Sequence, residues 1–142
     1  MDDTLQTRKA KSKAALESKD ASQDKDALRR KAVELGKLLD DHNAGDVVIM
    51  DMRNLNYWTD FFIIATVTSN THLMGLERHI KDFVREEGME ILRRSRKPEK
   101  DAELTFEEWC LLDLGSIVIH LMTDRARQFF ELERLWSTAP VI

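Results

Sequence analysis

Hydrophobic positions along the chain switch between a helical and an extended rhythm. From Ala27 to Asp41, Leu28, Ala32, Leu35 and Leu39 recur at steps of four and three, with Lys and Arg between them, which predicts an amphipathic helix. Gly45-Asp46 breaks that pattern. Val47-Val48-Ile49-Met50 then reads as a strand buried on both faces. Asp51 to Asp60 is a polar connection. Phe61-Phe62-Ile63-Ile64-Ala65 is a second strand, continuous in its apolar character rather than alternating, as strands covered on both faces are. Thr68-Ser69-Asn70 offers capping side chains for a helix. Its stripe is Leu73, Leu76, Ile80 and Phe83, and Gly88 ends it. Met89 to Leu92 reads as a third short strand. Arg93 to Thr105, polar and containing Pro98, reads as a loop. Trp109–Leu112 and Ile117–Met122 are two further strands. Asp124 caps a last helix to about Trp136, with Phe129, Leu132 and Trp136 on one face and Phe130 beside them. The order of elements predicts an α/β (α+β) fold, a mixed β-sheet packed with helices.

The last two strands carry a register expectation. Asp113-Leu114-Gly115-Ser116 separates them, and a two-residue loop at Leu114-Gly115 sets Asp113 opposite Ser116, Leu111 opposite Val118 and Trp109 opposite His120. Those six side chains then share one side of the sheet. Cys110, Leu112, Ile117 and Ile119 share the other, which is wholly apolar and belongs to the core. The mixed side, with Asp113, Ser116 and His120, is expected to stay partly open. A tryptophan on such a face is either covered by a helix or kept for a partner, and pattern alone leaves both open.

Composition narrows the class. Residues 1–26 are polar and charge-mixed, with Leu5 and Leu16 as the large apolar residues after Met1. Such a segment buries too little to offset its ordering entropy, so it reads as a disordered or loosely helical extension ahead of one domain, residues 27–142. The 142-residue chain is 42% hydrophobic, enough for a core. Its net charge of −4 argues against sequence-independent nucleic-acid binding. One cysteine, Cys110, excludes an intrachain disulfide and a cysteine-based metal site, and suits a reducing compartment. No apolar run approaches the ~18 residues of a membrane span, and Met1-Asp2-Asp3 opens no secretory or transit leader. The expectation is a cytoplasmic protein that does not enter membranes.

Motif chemistry is sparse. The five glycines are scattered and form no phosphate-cradling loop. Ser69, His72 and Asp60 are a set that any chain of this size offers, and no nucleophile-elbow sequence supports them. His42, His72, His79 and His120 lack a tight metal spacing, so they read as solvent-facing, capping or sheet histidines, and no metal or cofactor is expected. The basic run Arg93, Arg94, Arg96, Lys97 and Lys100 could meet phosphates, with Glu99 and Asp101 diluting its field.

Five stretches together resemble a known family. Asp46-Val47-Val48, Thr59-Asp60-Phe61-Phe62-Ile63-Ile64 and Thr68-Ser69-Asn70-Thr71-His72 look like the first half of the Iojap, or ribosomal silencing factor, family. Trp109-Cys110-Leu111-Leu112-Asp113-Leu114-Gly115-Ser116-Ile117-Val118-Ile119-His120 resembles its tryptophan–aspartate–glycine–histidine hairpin. Arg127-Gln128-Phe129-Phe130-Glu131-Leu132-Glu133-Arg134-Leu135-Trp136 is similar to its terminal helix. The likeness covers roughly residues 28–137. It implies a nucleotidyltransferase-like fold without catalysis. It also implies binding to large-subunit ribosomal protein fourteen, which sterically blocks subunit joining and represses translation, and a homodimer when free. Trp109, Leu111, Asp113, Leu114 and His120 of the hairpin, and Arg127, Phe130 and Glu133 of the helix, become candidate contacts, with peripheral rRNA contact through Arg93, Arg94 and Arg96. Gly115 shapes the hairpin. Three features depart from the family pattern: Ser116 stands where an aspartate is usual, the Ser95–Glu107 loop is long, and the N-terminal extension is extra.

Two rivals use the same residues differently. A nucleotidyltransferase needs a Gly-Ser turn followed by two carboxylates one residue apart on one strand to hold magnesium. Gly115-Ser116 is present, but Ile117 to Met122 carries no acid, so the expectation is no enzyme. An assembly factor protecting a maturing large subunit would use the same surface as a silencing factor.

Overall fold

The computed structural model describes residues 14–55, 58–96 and 108–142, with side chains described from residue 26 on and, in the strand at 93–96, for Arg93 and Arg94. Two compact units divide between Lys31 and Ala32. The first is described as helix alone. The second, Ala32–Ile142, holds the sheet.

Helix α1 runs Ala14–Asp41, beginning ahead of the expected Ala27 and so passing through half of the segment read as an extension. Residues 1–13 of that segment lie outside the described residues. Within the second unit α1 buries Ala32, Leu35 and Leu39, the stripe its spacing predicted. Strand β1 is Gly45–Asp51 and β2 is Phe61–Thr66. Helix α2, Asn70–Glu86, starts where Ser69 caps it by accepting the His72 backbone N–H at 3.0 Å. Strands β3 (Arg93–Arg96), β4 (Trp109–Asp113) and β5 (Ile117–Met122) follow, then the short helices α3 (Asp124–Phe130) and α4 (Leu132–Leu135).

The strands form one mixed sheet in the order β1-β2-β5-β4-β3. The β2–β5 pair is parallel and the others antiparallel. The central strands β2 and β5 are buried at every position, as the continuous apolar run of β2 requires.

Four expectations need correction. First, β1 is not buried on both faces: it is an edge strand with Val47 and Val48 half-buried. Residues of the C-terminus shield part of that edge, where Asp51 N–H donates to Pro140 O at 2.8 Å and Ile142 N–H to Ile49 O at 2.9 Å. Second, the third strand is not Met89–Leu92 but Arg93–Arg96, inside the expected loop. An edge strand needs hydrogen bonds from its neighbour more than apolar side chains, and β4 supplies them, with Arg93 opposite Asp113 and Arg94 opposite Leu112. Third, the hairpin pairs Asp113 with Val118 and Leu111 with His120, two residues from the expected register. Leu114 N–H donates to Ile117 O, so the loop residues are Gly115-Ser116. Gly115, at φ +87°, sits in the left-handed region that a tight hairpin demands of its first loop residue. A two-residue shift keeps every side chain on its predicted side, because the strand period is two. Fourth, the terminal helix is broken at Glu131, which adopts φ 47°, ψ 50° and ends α3.

The sheet therefore has two unlike faces. One carries Ile63, Ala65, Cys110, Leu112, Ile117, Ile119 and Leu121, all fully buried. Helices α1 and α2 lie on this side: Gly36 of α1 approaches Ile49 closely, and Glu77 of α2 meets the Cys110 thiol at 3.6 Å. The other face carries Met50, Phe62, Ile64, Val118 and Met122 beneath Ala126, Leu132 and Ala139.

Candidate functional site

The second face is where the predicted site residues gather. On β4 and β5 the alternation lifts Trp109, Leu111 and Asp113 to the same side as Val118 and His120. Trp109 and Leu111 pack half-buried against the cluster under α3 and α4. Covering is thus partial: the short C-terminal helices close over Phe62 and Val118 and leave the β4 margin open.

Aromatic rings line this face in a continuous series. Trp58 lies 5.6 Å from Phe62, and Phe62 meets His120 edge-on at 4.7 Å. Trp136 also meets Phe62 edge-on, at 6.1 Å. His120 is 5.8 Å from Trp109, Trp109 is 4.7 Å from Phe130, and Phe130 meets Phe129 edge-on at 4.9 Å. The two ends of the series reach solvent, with Trp58 55%, Phe130 43% and Phe129 78% exposed. Trp58, Phe62 and Phe129 were not among the predicted site residues. The pairing of β2 with β5 brings Phe62, and Trp58 with it, to His120, while Phe129 joins through its chain neighbour Phe130.

The predicted residues divide by role. His120 is 3% exposed and Leu114 7%, so neither is an outward contact in this conformation, contrary to the open face expected for the hairpin. His120 is held from below: Trp109 Nε1–H donates to its Nδ1 at 3.1 Å. Burial pulls its pKa from the ordinary 6.5 down to about 4, so the imidazole is neutral near pH 7. Asp113 shapes the turn by accepting the Gly115 N–H at 2.8 Å. Arg127 is an internal clamp, donating to the Thr66 hydroxyl at 2.9 Å and to Glu133 at 2.7 Å. Trp109, Leu111, Phe130 and Glu133 retain surface to offer.

The basic run fares unevenly. Arg94 forms a two-pronged ion pair with Glu77, a carboxylate buried on the core side of α2. That pairing removes Arg94 from the proposed phosphate contact, because releasing it would strand a buried charge. Arg93 projects, 3.9 Å from Asp113. Lys97 and Lys100 and the Ser95–Glu107 stretch beyond β3 lie outside the described residues, as does the Arg96 side chain.

Ser69 and His72 have structural partners. Ser69 is engaged as the α2 cap, and the His72 imidazole lies against Thr68 and the His42 carbonyl, 3.1 Å from Nε2. His42 and His79 stack at 3.6 Å. Among the described residues no group of three His, Cys, Asp or Glu side chains could hold a metal ion, and no helix is long and apolar enough to cross a membrane.

Residues 22–142 match the family described as "Ribosomal silencing factor during starvation". The chain belongs to this family. Ribosomal silencing factor RsfS of Treponema pallidum is 34% identical over 103 residues, 72% of this chain and 86% of that one. The chloroplastic protein Iojap of Arabidopsis thaliana is 34% identical over 108 residues, 76% of this chain, but the match spans only 42% of that longer protein. A crystal structure from Bacillus halodurans superposes with a TM-score of 0.60 at 29% identity, covering 82% of this chain and 97% of that one. The mixed sheet with its helices is therefore the silencing-factor fold, and translation regulation is the family's named role.

Proposed function

We propose that this chain represses translation without catalysis, by docking on the large ribosomal subunit through large-subunit ribosomal protein fourteen and sterically blocking subunit joining. The observation that carries the reading is the partly covered aromatic face around Trp109, on the hairpin where the family resemblance lies. Rings that are half-buried and braced from behind bury large area on docking at small entropic cost. Trp109, Leu111, Phe130 and Glu133 are the contacts. Asp113, Leu114, His120 and Arg127 hold the hairpin and the helix beneath them. With Arg94 paired to Glu77, Arg93 is the basic side chain left for a peripheral rRNA contact among the described residues of the run. The same face, covered by a second copy, gives the homodimer of the free protein, and the acting compartment is the cytoplasm.

The test is sedimentation of the purified chain with ribosomal particles. It should travel with isolated large subunits and not with joined ribosomes. Trp109→Ala should weaken that binding roughly thirtyfold, the effect of losing an anchor contributing ~2 kcal/mol. Because Trp109 is half-buried, the same change should cost the fold about 2 kcal/mol, between a surface and a core truncation. A folded Trp109→Ala variant with unchanged affinity would overturn the docking face. Preference for immature over mature large subunits would favour an assembly role on the same surface.

A further inference from the structure

His120 is a polar side chain in a place that stability alone would fill with a hydrocarbon. It is 3% exposed, its ring lies against Phe62 and Trp109, and Ile64 and Leu111 are paired across from it on the adjoining strands. Its Nδ1 accepts the Trp109 indole N–H at 3.1 Å. A neutral imidazole that accepts at Nδ1 carries its proton at Nε2. Here Nε2 is buried and has no hydrogen-bond partner among the described residues. An unsatisfied buried donor works against folding, so a phenylalanine at this position would serve the core at least as well. What histidine supplies, and phenylalanine cannot, is a lone pair aimed at the indole of Trp109.

That lone pair has a mechanical consequence. Trp109 is tethered at its N–H on the inner side and flanked by Phe130 at 4.7 Å. Its ring is thus fixed between a directional bond and an apolar wall, at the margin where the face opens. A side chain already held in one rotamer loses less freedom when it docks.

We infer that His120 is a positioning residue that fixes the rotation of the Trp109 indole for docking on the large subunit. The inference rests on the docking reading above. The experiment uses the full-length chain in four variants, Trp109→Ala, His120→Phe, His120→Asn and His120→Gln. Each is measured for denaturant resistance, for indole N–H signals in nitrogen-15 spectra, and for affinity to isolated large subunits. The Oδ1 of an introduced asparagine occupies the place of Nδ1, and the acceptor of an introduced glutamine that of Nε2. His120→Phe should resist denaturant as well as the parent, shift the Trp109 indole signal, and bind roughly tenfold more weakly, the effect of about 1.4 kcal/mol. His120→Asn should restore both the signal and the affinity, and His120→Gln should restore neither. An unmoved indole signal or unchanged affinity in His120→Phe overturns the inference. Equal behaviour of the Asn and Gln variants overturns it too, and stands as a test if the Phe variant does not fold. Should Trp109→Ala bind as tightly as the parent, the docking reading fails whatever the indole signals show. Should Trp109→Ala lose binding while His120→Phe keeps it, only the positioning role fails.

Discussion

The two faces of the sheet are built from the same strands, residue by alternate residue, yet they solve different problems. The face under α1 and α2 is apolar from Ile63 to Leu121, and Glu77, a carboxylate buried on that side, is neutralised by Arg94. The opposite face holds a neutral buried imidazole, a tryptophan bonded to it, and a cover of short helices that leaves Phe129 and Phe130 in solvent. A long helix can seal a sheet face completely because its stripe runs the length of the strands. The 7-residue α3 and 4-residue α4 cannot. What they leave uncovered includes the rings of Trp109, Phe129 and Phe130, the kind of surface on which the proposed docking rests.

The comparison breaks first where the sealed face is cut. Leu112 is fully buried there, opposite Ile119 on β5 and Arg94 on β3. Leu112→Ala removes methylene groups from a site with no solvent to refill it, and should cost about 3–4 kcal/mol in urea unfolding. Its effect on large-subunit binding, measured where the variant is still folded, should be under twofold, about 0.4 kcal/mol. A loss under ~1 kcal/mol would mean that this face is as loosely covered as the other.

Acid sharpens the contrast through His120. Its folded pKa of about 4 lies below the ordinary 6.5, so the unfolded chain binds a proton that the folded chain refuses. Stability from this group is present in full above pH 6.5 and is lost as pH falls toward 4, by on the order of 3 kcal/mol. Denaturant midpoints of the parent and of His120→Phe, followed across that window, should converge as pH rises and diverge in acid, the parent falling faster. Parallel curves would mean that the imidazole is protonated in the folded state or reached by water.

Much of the sealed face was legible in sequence, because long periodic stripes such as Leu73, Leu76 and Ile80 report burial directly. Side assignment on the hairpin was also legible: placing Gly115 rather than Leu114 at the first loop position shifted the register by two residues, one strand period, which leaves every side chain on its side. Edges and breaks were not. Strand β3 is basic and has no apolar signal. The break at Glu131 occurs at a residue with no special preference for the left-handed conformation it adopts. The site was half-legible: Trp109, His120 and Phe130 stand in recognisable motifs, but Trp58 joins them only through Phe62 and the β2–β5 pairing. Contacts made by chain crossover leave no local pattern.

The smallest expected stability effect falls at the outer end of the aromatic series, and there the two faces should differ most in kind. Phe129 is 78% exposed and meets Phe130 edge-on at 4.9 Å. Truncating it removes little buried surface, so Phe129→Ala should change unfolding stability by less than ~0.5 kcal/mol. If the ring is held in solvent for a partner, the cost appears on docking. A peripheral aromatic contact contributes about 1 kcal/mol, so affinity for isolated large subunits should fall roughly fivefold. Leu112→Ala should show the reverse, a large loss of stability with little loss of binding. A folded Phe129→Ala variant that binds like the parent would confine the docking surface to the hairpin margin around Trp109 and Leu111, and leave Phe129 outside it.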